Sequence, residues 1–109
     1  MRIFVAALCA VAAFGASMSL HDSGQRMAWE QAVEYCRSLD AYLPTLNAME
    51  AAYVRSFRSV AGKTPYAAET YWSADQDDIE GAYAYDFSRG LHSVDFKGAR
   101  YRVMCIQSD

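Results

Sequence analysis

Trp29-Glu-Gln-Ala-Val-Glu-Tyr-Cys36-Arg-Ser-Leu39 sets two constraints at once. Trp29, Ala32, Val33, Cys36 and Leu39 recur at intervals of three and four, which places them on one face of an α-helix. Glu30, Gln31, Glu34, Arg37 and Ser38 take the opposite face, with Glu34 and Arg37 spaced as a helix-stabilising pair. Trp29 reads as a core anchor. The helix also carries a cysteine on its inward face, so what that cysteine meets elsewhere in the chain bears on the whole architecture.

Towards the N-terminus, residues 20–26 are polar and read as a loose leader. Before them, Met1-Arg2 gives a positive start, Ile3 to Phe14 is a run of apolar and small residues, and Gly15 to Ser19 supplies small residues suited to signal peptidase. This is the layout of a secretory signal over residues 1–19, with cleavage after Ser17 or Ser19. A run of 12 residues is too short to span a bilayer, which takes about 20. Leu8 is too bulky beside Cys9 for a lipoprotein anchor. The expected product is a single domain over residues 20–109, with no membrane insertion after cleavage. Removing the signal takes away Arg2 and Cys9. It leaves 9 basic against 13 acidic residues, a net charge of −4, which excludes the basic stripe of a nucleic-acid binder and gives no attraction to anionic lipid. Cys36 and Cys105 remain, and an even pair in an exported protein reads as a disulfide. Its loop of about 70 residues makes it worth roughly 4–5 kcal/mol.

Towards the C-terminus, Pro44 breaks the chain, and Asn47 with Glu50 forms a capping-box pattern. Met49, Ala52, Tyr53, Phe57 and Val60 then define a second helix face, stopped by Gly62. After a loop over residues 63–70 the period changes. Tyr71-Trp72-Ser73 has strand composition, and an acidic loop runs from Asp75 to Gly81. Tyr83, Tyr85 and Phe87 alternate with Ala82, Ala84 and Asp86 as a half-buried strand. His92, Val94 and Phe96 alternate as its hairpin partner, and Tyr101, Val103 and Cys105 share one face of the last strand. Two helices followed by a meander of short strands predict an α+β domain with the helices packed on a small antiparallel sheet.

Several segments resemble a bacterial extracytoplasmic domain family named for the C-terminal domain of the Legionella collagen-like adhesin. The matching pieces are Trp29 to Cys36 for its opening helix, Leu43-Pro44-Thr45 with Glu50 for its "LPT" segment, and Tyr71-Trp72-Ser73-Ala74 for its "YWSS" strand. Tyr85 to Gly90 match its next strand and turn, and Arg102 to Ile106 its closing "VRCV" strand. The pieces run in order over almost the whole mature chain. The resemblance implies a C-type-lectin-like fold in which a disulfide joins the first helix to the last strand, and a role in recognition or adhesion. The chain departs from the family pattern at Ala41-Tyr42, where "WR" is common, and in its short loop from Asp75 to Gly81.

The candidate binding residues are Tyr42, Tyr66, Tyr71 and Trp72, aromatics in or beside predicted loops, together with Asp75, Asp77, Asp78 and Glu80 of the acidic loop. Tyr and Trp bury area while keeping a polar handle, so they favour interfaces, though the same residues also fill small cores. The four acids offer oxygen ligands for calcium, but their spacing matches neither an EF-hand nor the calcium triplets of C-type lectins, so no metal or cofactor is expected. His92 reads as a packed histidine and His21 as part of the leader. No nucleophile–base constellation can be assembled, which excludes an enzyme as the leading reading. The expectation is a non-enzymatic binding module, periplasmic or secreted, whose partner is a protein or a glycan. The alternative is a small periplasmic inhibitor or immunity protein that blocks an exported toxin or enzyme. A basic patch facing a ligand would favour anionic glycans, and none is evident in the linear sequence.

Overall fold

The computed structural model describes residues 19–57 and 68–107. The signal segment up to Met18, Tyr66, and the predicted helix stop at Val60 and Gly62 lie outside the described residues. The elements in chain order are β1 (Ser19–Met27), α1 (Trp29–Ser38), α2 (Leu46–Phe57), β2 (Thr70–Gln76), β3 (Gly81–Asp86), β4 (Leu91–Phe96) and β5 (Tyr101–Gln107). The strands form one sheet in the order β1-β5-β2-β3-β4. All neighbours are antiparallel except β2 and β5, which run parallel where Tyr71 meets Arg102.

The helices take opposite faces of this sheet. Strand side chains alternate, so adjacent residues serve different cores. Trp72, Ala82, Ala84, Val103 and Cys105 pack with Trp29, Ala32 and Cys36 of α1 and with Leu43. Tyr71, Tyr85, Phe87 and Met104 pack with Met49 of α2, flanked by Leu46, Ala52 and Tyr53. This explains why the central strands are buried on both faces. β3 is therefore not half-buried as its alternation predicts, because Ala82 and Ala84 lie under α1 while Tyr85 lies under α2. The fold class is as expected, an α+β domain with one disulfide.

The disulfide joins α1 to β5. Cys36 and Cys105 are both buried, with an S–S distance of 2.04 Å and Cα atoms 5.3 Å apart across a sequence separation of 69. Two indoles complete this face. Trp29 Nε1 donates to the Ser73 carbonyl at 2.9 Å, and Trp72 Nε1 donates to the Met27 carbonyl at 2.8 Å, so neither ring leaves a buried N–H unpaired. Ser73 is buried at a bulge of β2, where its hydroxyl donates to the Tyr83 carbonyl at 2.8 Å and accepts from the Asp75 N–H at 3.1 Å.

Two local expectations change. The second helix begins two residues earlier than the Asn47 capping box implies, because Thr45 is the cap: its Oγ1 accepts the Ala48 N–H at 3.1 Å. Residues 20–26 are no loose leader but most of β1, paired along β5 from Ser19 with Gln107 to Met27 with Tyr101. Between Asp22 and Arg26 the register shifts, and Gly24 takes φ +74° in the bulge. That left-handed backbone is open to glycine without steric cost. Polar residues and a glycine masked the strand because β1 lies at the sheet edge, where one row of side chains meets water.

Candidate functional site

Tyr71 and Trp72, predicted to contact a ligand, are both fully buried and belong to the core. The Tyr71 hydroxyl donates to Asp22, and its ring meets Phe87 edge-on at 5.6 Å. Tyr42 remains a surface residue. It is half exposed and bridges Ile106 of β5, with its N–H on the Ile106 carbonyl at 3.0 Å. The acidic residues form the β2–β3 turn rather than an ion cage. Asp78 Oδ1 accepts the N–H groups of Glu80 at 2.9 Å and Gly81 at 2.7 Å, while Asp75 Oδ2 faces the Leu46 N–H at 3.4 Å. Asp77 and Glu80 point into solvent. Among the described residues no group of three acidic, histidine or cysteine side chains is placed to hold a metal.

The structure brings out a surface that sequence reasoning assigned to the core. β4 is an edge strand, and α2 packs over β2 and β3 without covering it. On the α2 side Tyr83 stands opposite Val94, Gly81 opposite Phe96 and Tyr85 opposite His92. Val94 is 45% exposed, Phe96 63%, and Ile79 in the adjoining turn 84%. His92 is exposed and meets the Tyr83 ring at 5.8 Å, so it is not the packed histidine its alternation suggests. Leu91, 57% exposed, lies on the other face of the same strand. Alternation alone cannot distinguish a core face from an exposed one. The signal that does is topological, because β4 ends the hairpin meander and, among the described residues, neither helix covers it.

The backbone of β4 is also open outward. The Lys97 N–H donates to the Glu80 carbonyl at 2.8 Å. Antiparallel ladders alternate, so Leu91, Ser93 and Asp95 turn their peptide groups to β3, while His92, Val94 and Phe96 turn theirs to the free edge. Among the described residues the Phe96 N–H is met there by its neighbour's carboxylate, Asp95 Oδ1 at 2.7 Å. Asp95 also accepts the Tyr101 hydroxyl, which with burial pushes the Tyr101 pKa up to about 12. β4 thus offers exposed apolar side chains and a row of outward peptide groups together.

The opposite edge carries the charges. Arg102 of β5 pairs with Asp22 at 3.2 Å and with Glu69 at 3.6 Å, and Arg26 of β1 pairs with Glu69 at 2.7 Å. Burial would raise the Asp22 pKa, but the Tyr71 hydroxyl, the Gly24 N–H and Arg102 outweigh it and hold the carboxyl below its usual value of 3.8. His21 also sits on β1, with its Nε2 2.8 Å from the Tyr35 hydroxyl. The two histidines therefore lie on opposite edge strands, each engaged with a tyrosine.

Residues 20–107 match a family described as a domain of unknown function (DUF8780). The chain belongs to this family. No curated protein matches it. Among solved structures, this DUF8780 domain is similar to TC14, a C-type lectin from the tunicate Polyandrocarpa misakiensis. The TM-score is 0.54 at 14% sequence identity, covering 84% of this chain and 98% of that one. The family member therefore has a C-type-lectin-like fold, with helices on both sides of the sheet and a disulfide between α1 and β5.

Proposed function

We propose that this domain is a non-enzymatic recognition module that works outside the cytoplasm, in a bacterial periplasm or secreted, and engages a protein partner through the β4 edge. The observation that carries the reading is β4 itself, with Leu91, Val94, Phe96 and neighbouring Ile79 exposed beside outward peptide groups. Exposed edge strands are usually blunted by charge, proline or bulges, because an open edge is a template for another strand. An edge left apolar suits the addition of a partner strand, in which main-chain hydrogen bonds give affinity and alternate side chains give selectivity. The disulfide and the signal-like N-terminal sequence support an oxidising compartment. The recognition fold shared with a lectin and the resemblance to an adhesin domain support binding over catalysis.

The test compares the oxidised domain with Phe96→Asp, each immobilised and exposed to envelope and secreted fractions of the source organism. The expected result is a stoichiometric protein retained by the parent domain and lost with the variant. Equal retention by both removes β4 as the site. Retention of surface polysaccharide in place of protein transfers the recognition role to a glycan and another surface.

A further inference from the structure

Away from β4, four strand ends enclose an open groove of about 360 Å³, towards the small end of the roughly 300–1,000 Å³ typical of small-molecule pockets. Its lining includes Arg26 at the end of β1, Glu69 and Thr70 at the start of β2, Asp86 and Ser88 after β3, and Arg100 before β5. Arg26 and Arg100 line it, and Arg89 and Arg102 pair with its two carboxylates, so four of the ten basic residues of this acidic chain meet at or beside it. They are far apart in sequence, which is why no basic patch is visible there.

The hydrogen-bond inventory decides what the groove can take. Both carboxylates already have cationic partners. Glu69 accepts Arg26 at 2.7 Å and lies 3.6 Å from Arg102 as an ion pair, and Asp86 accepts the Ser88 N–H at 2.8 Å, the Ser88 hydroxyl at 2.6 Å and Arg89 Nε at 3.1 Å. The Ser88 hydroxyl and N–H, with Arg89, hold Asp86 below its usual pKa against the effect of burial, so it stays ionised. The two lining arginines keep free donors. Among the described residues, Arg100 spends one N–H on the Arg26 carbonyl at 3.2 Å, and Arg26 one on Glu69. Each guanidinium has five donors in a planar fork that matches a carboxylate two-pronged. The groove therefore has a surplus of donors and a deficit of acceptors. Its walls are polar apart from Ala68 and the Tyr101 ring, so they offer no seat for a bulky apolar group.

We infer that this groove is a binding site for a small polyhydroxylated acid, in chemical class a uronic acid or the uronate end of a glycan. Its carboxylate sits on the Arg100 and Arg26 guanidinium groups, and its hydroxyls face Thr70 and Ser88. This site is separate from β4 and goes beyond the protein-recognition reading. The test is a titration of the oxidised domain with glucuronate, glucose and sulfate, followed by the amide NMR signals of Thr70, Ser88 and Tyr101. Glucuronate is expected to give saturable shifts at these residues, glucose to bind at least tenfold more weakly, and Arg100→Ala to weaken glucuronate at least tenfold. Arg100 is exposed, so its removal leaves the core intact. Phe96→Asp is expected to leave glucuronate binding unchanged, so this site and the β4 reading fail separately. Equal binding of glucose, sulfate binding as tight as glucuronate, the absence of saturable shifts, or indifference to Arg100→Ala would each overturn the assignment.

Discussion

The two edges of the sheet are built in opposite ways. β1 is long, polar and bulged at Gly24, and it is fastened to its neighbours by Asp22–Arg102 and Arg26–Glu69. Its inner neighbour β5 is tied covalently to α1. β4 is a six-residue strand of a local hairpin, with exposed Leu91, Val94 and Phe96 and its outward peptide groups turned to the free edge. The difference teaches that one edge is closed by charge and backbone irregularity while the other is left open. Stability should reside at the first and recognition at the second.

The comparison breaks most forcefully at the disulfide. Replacing both Cys36 and Cys105 with Ser is expected to cost about 4 kcal/mol, from a closed loop of about 70 residues. In thermal unfolding that corresponds to a fall of roughly 15–30 °C for a domain of this size. An unchanged melting temperature would show that the β1–β5 side does not depend on its staple.

A smaller loss is expected from Asp22→Ala, which strips Arg102, Tyr71 and the Gly24 N–H of a shared partner. Arg102 is only 20% exposed and, among the described residues, keeps Glu69 and the Tyr71 ring, so the cost is about 2 kcal/mol. The pH dependence has a definite sign. The folded-state pKa of Asp22 lies below 3.8, so its contribution is present above that value and lost as pH falls through the depressed one. Urea unfolding as a function of pH should show the parent domain weakening in acid below about pH 4. Asp22→Ala should weaken less over the same range. Parallel pH profiles would remove Asp22 as the fastening of β1.

Gly24→Ala sharpens the comparison further. Among the described residues no atom lies within 4 Å of the added Cβ, so the cost is backbone strain at φ +74°, about 1 kcal/mol. Denaturant midpoints measure it, and no loss would mean that the bulge relaxes.

Most of the architecture was legible because it rests on local signals. Helical spacing from Trp29 to Leu39 placed α1, alternation placed β3 and β5, and the expected pairing of Cys36 with Cys105 is the disulfide found. The misreadings share one cause, namely that they depend on what lies across the sheet. β1 reads as a loop until Arg102 and Glu69, distant in sequence, are brought to Asp22 and Arg26. Tyr71 and Trp72 look like interface aromatics until helices cover both faces. His92, Val94 and Phe96 look like core until β4 proves to be the uncovered edge. Of the candidate site, Tyr42 and most of the acidic turn lie at the surface, while the arginine groove arises only from folding.

The central claim is that β4 binds and does not stabilise. The decisive measurement pairs the stability and the partner retention of Phe96→Asp. Phe96 is 63% exposed, so the substitution is expected to shift unfolding by no more than about 0.5 kcal/mol while abolishing capture of the partner held by the parent domain. A stable variant that still captures the partner, or a variant that loses several kcal/mol with its fold, would contradict the account.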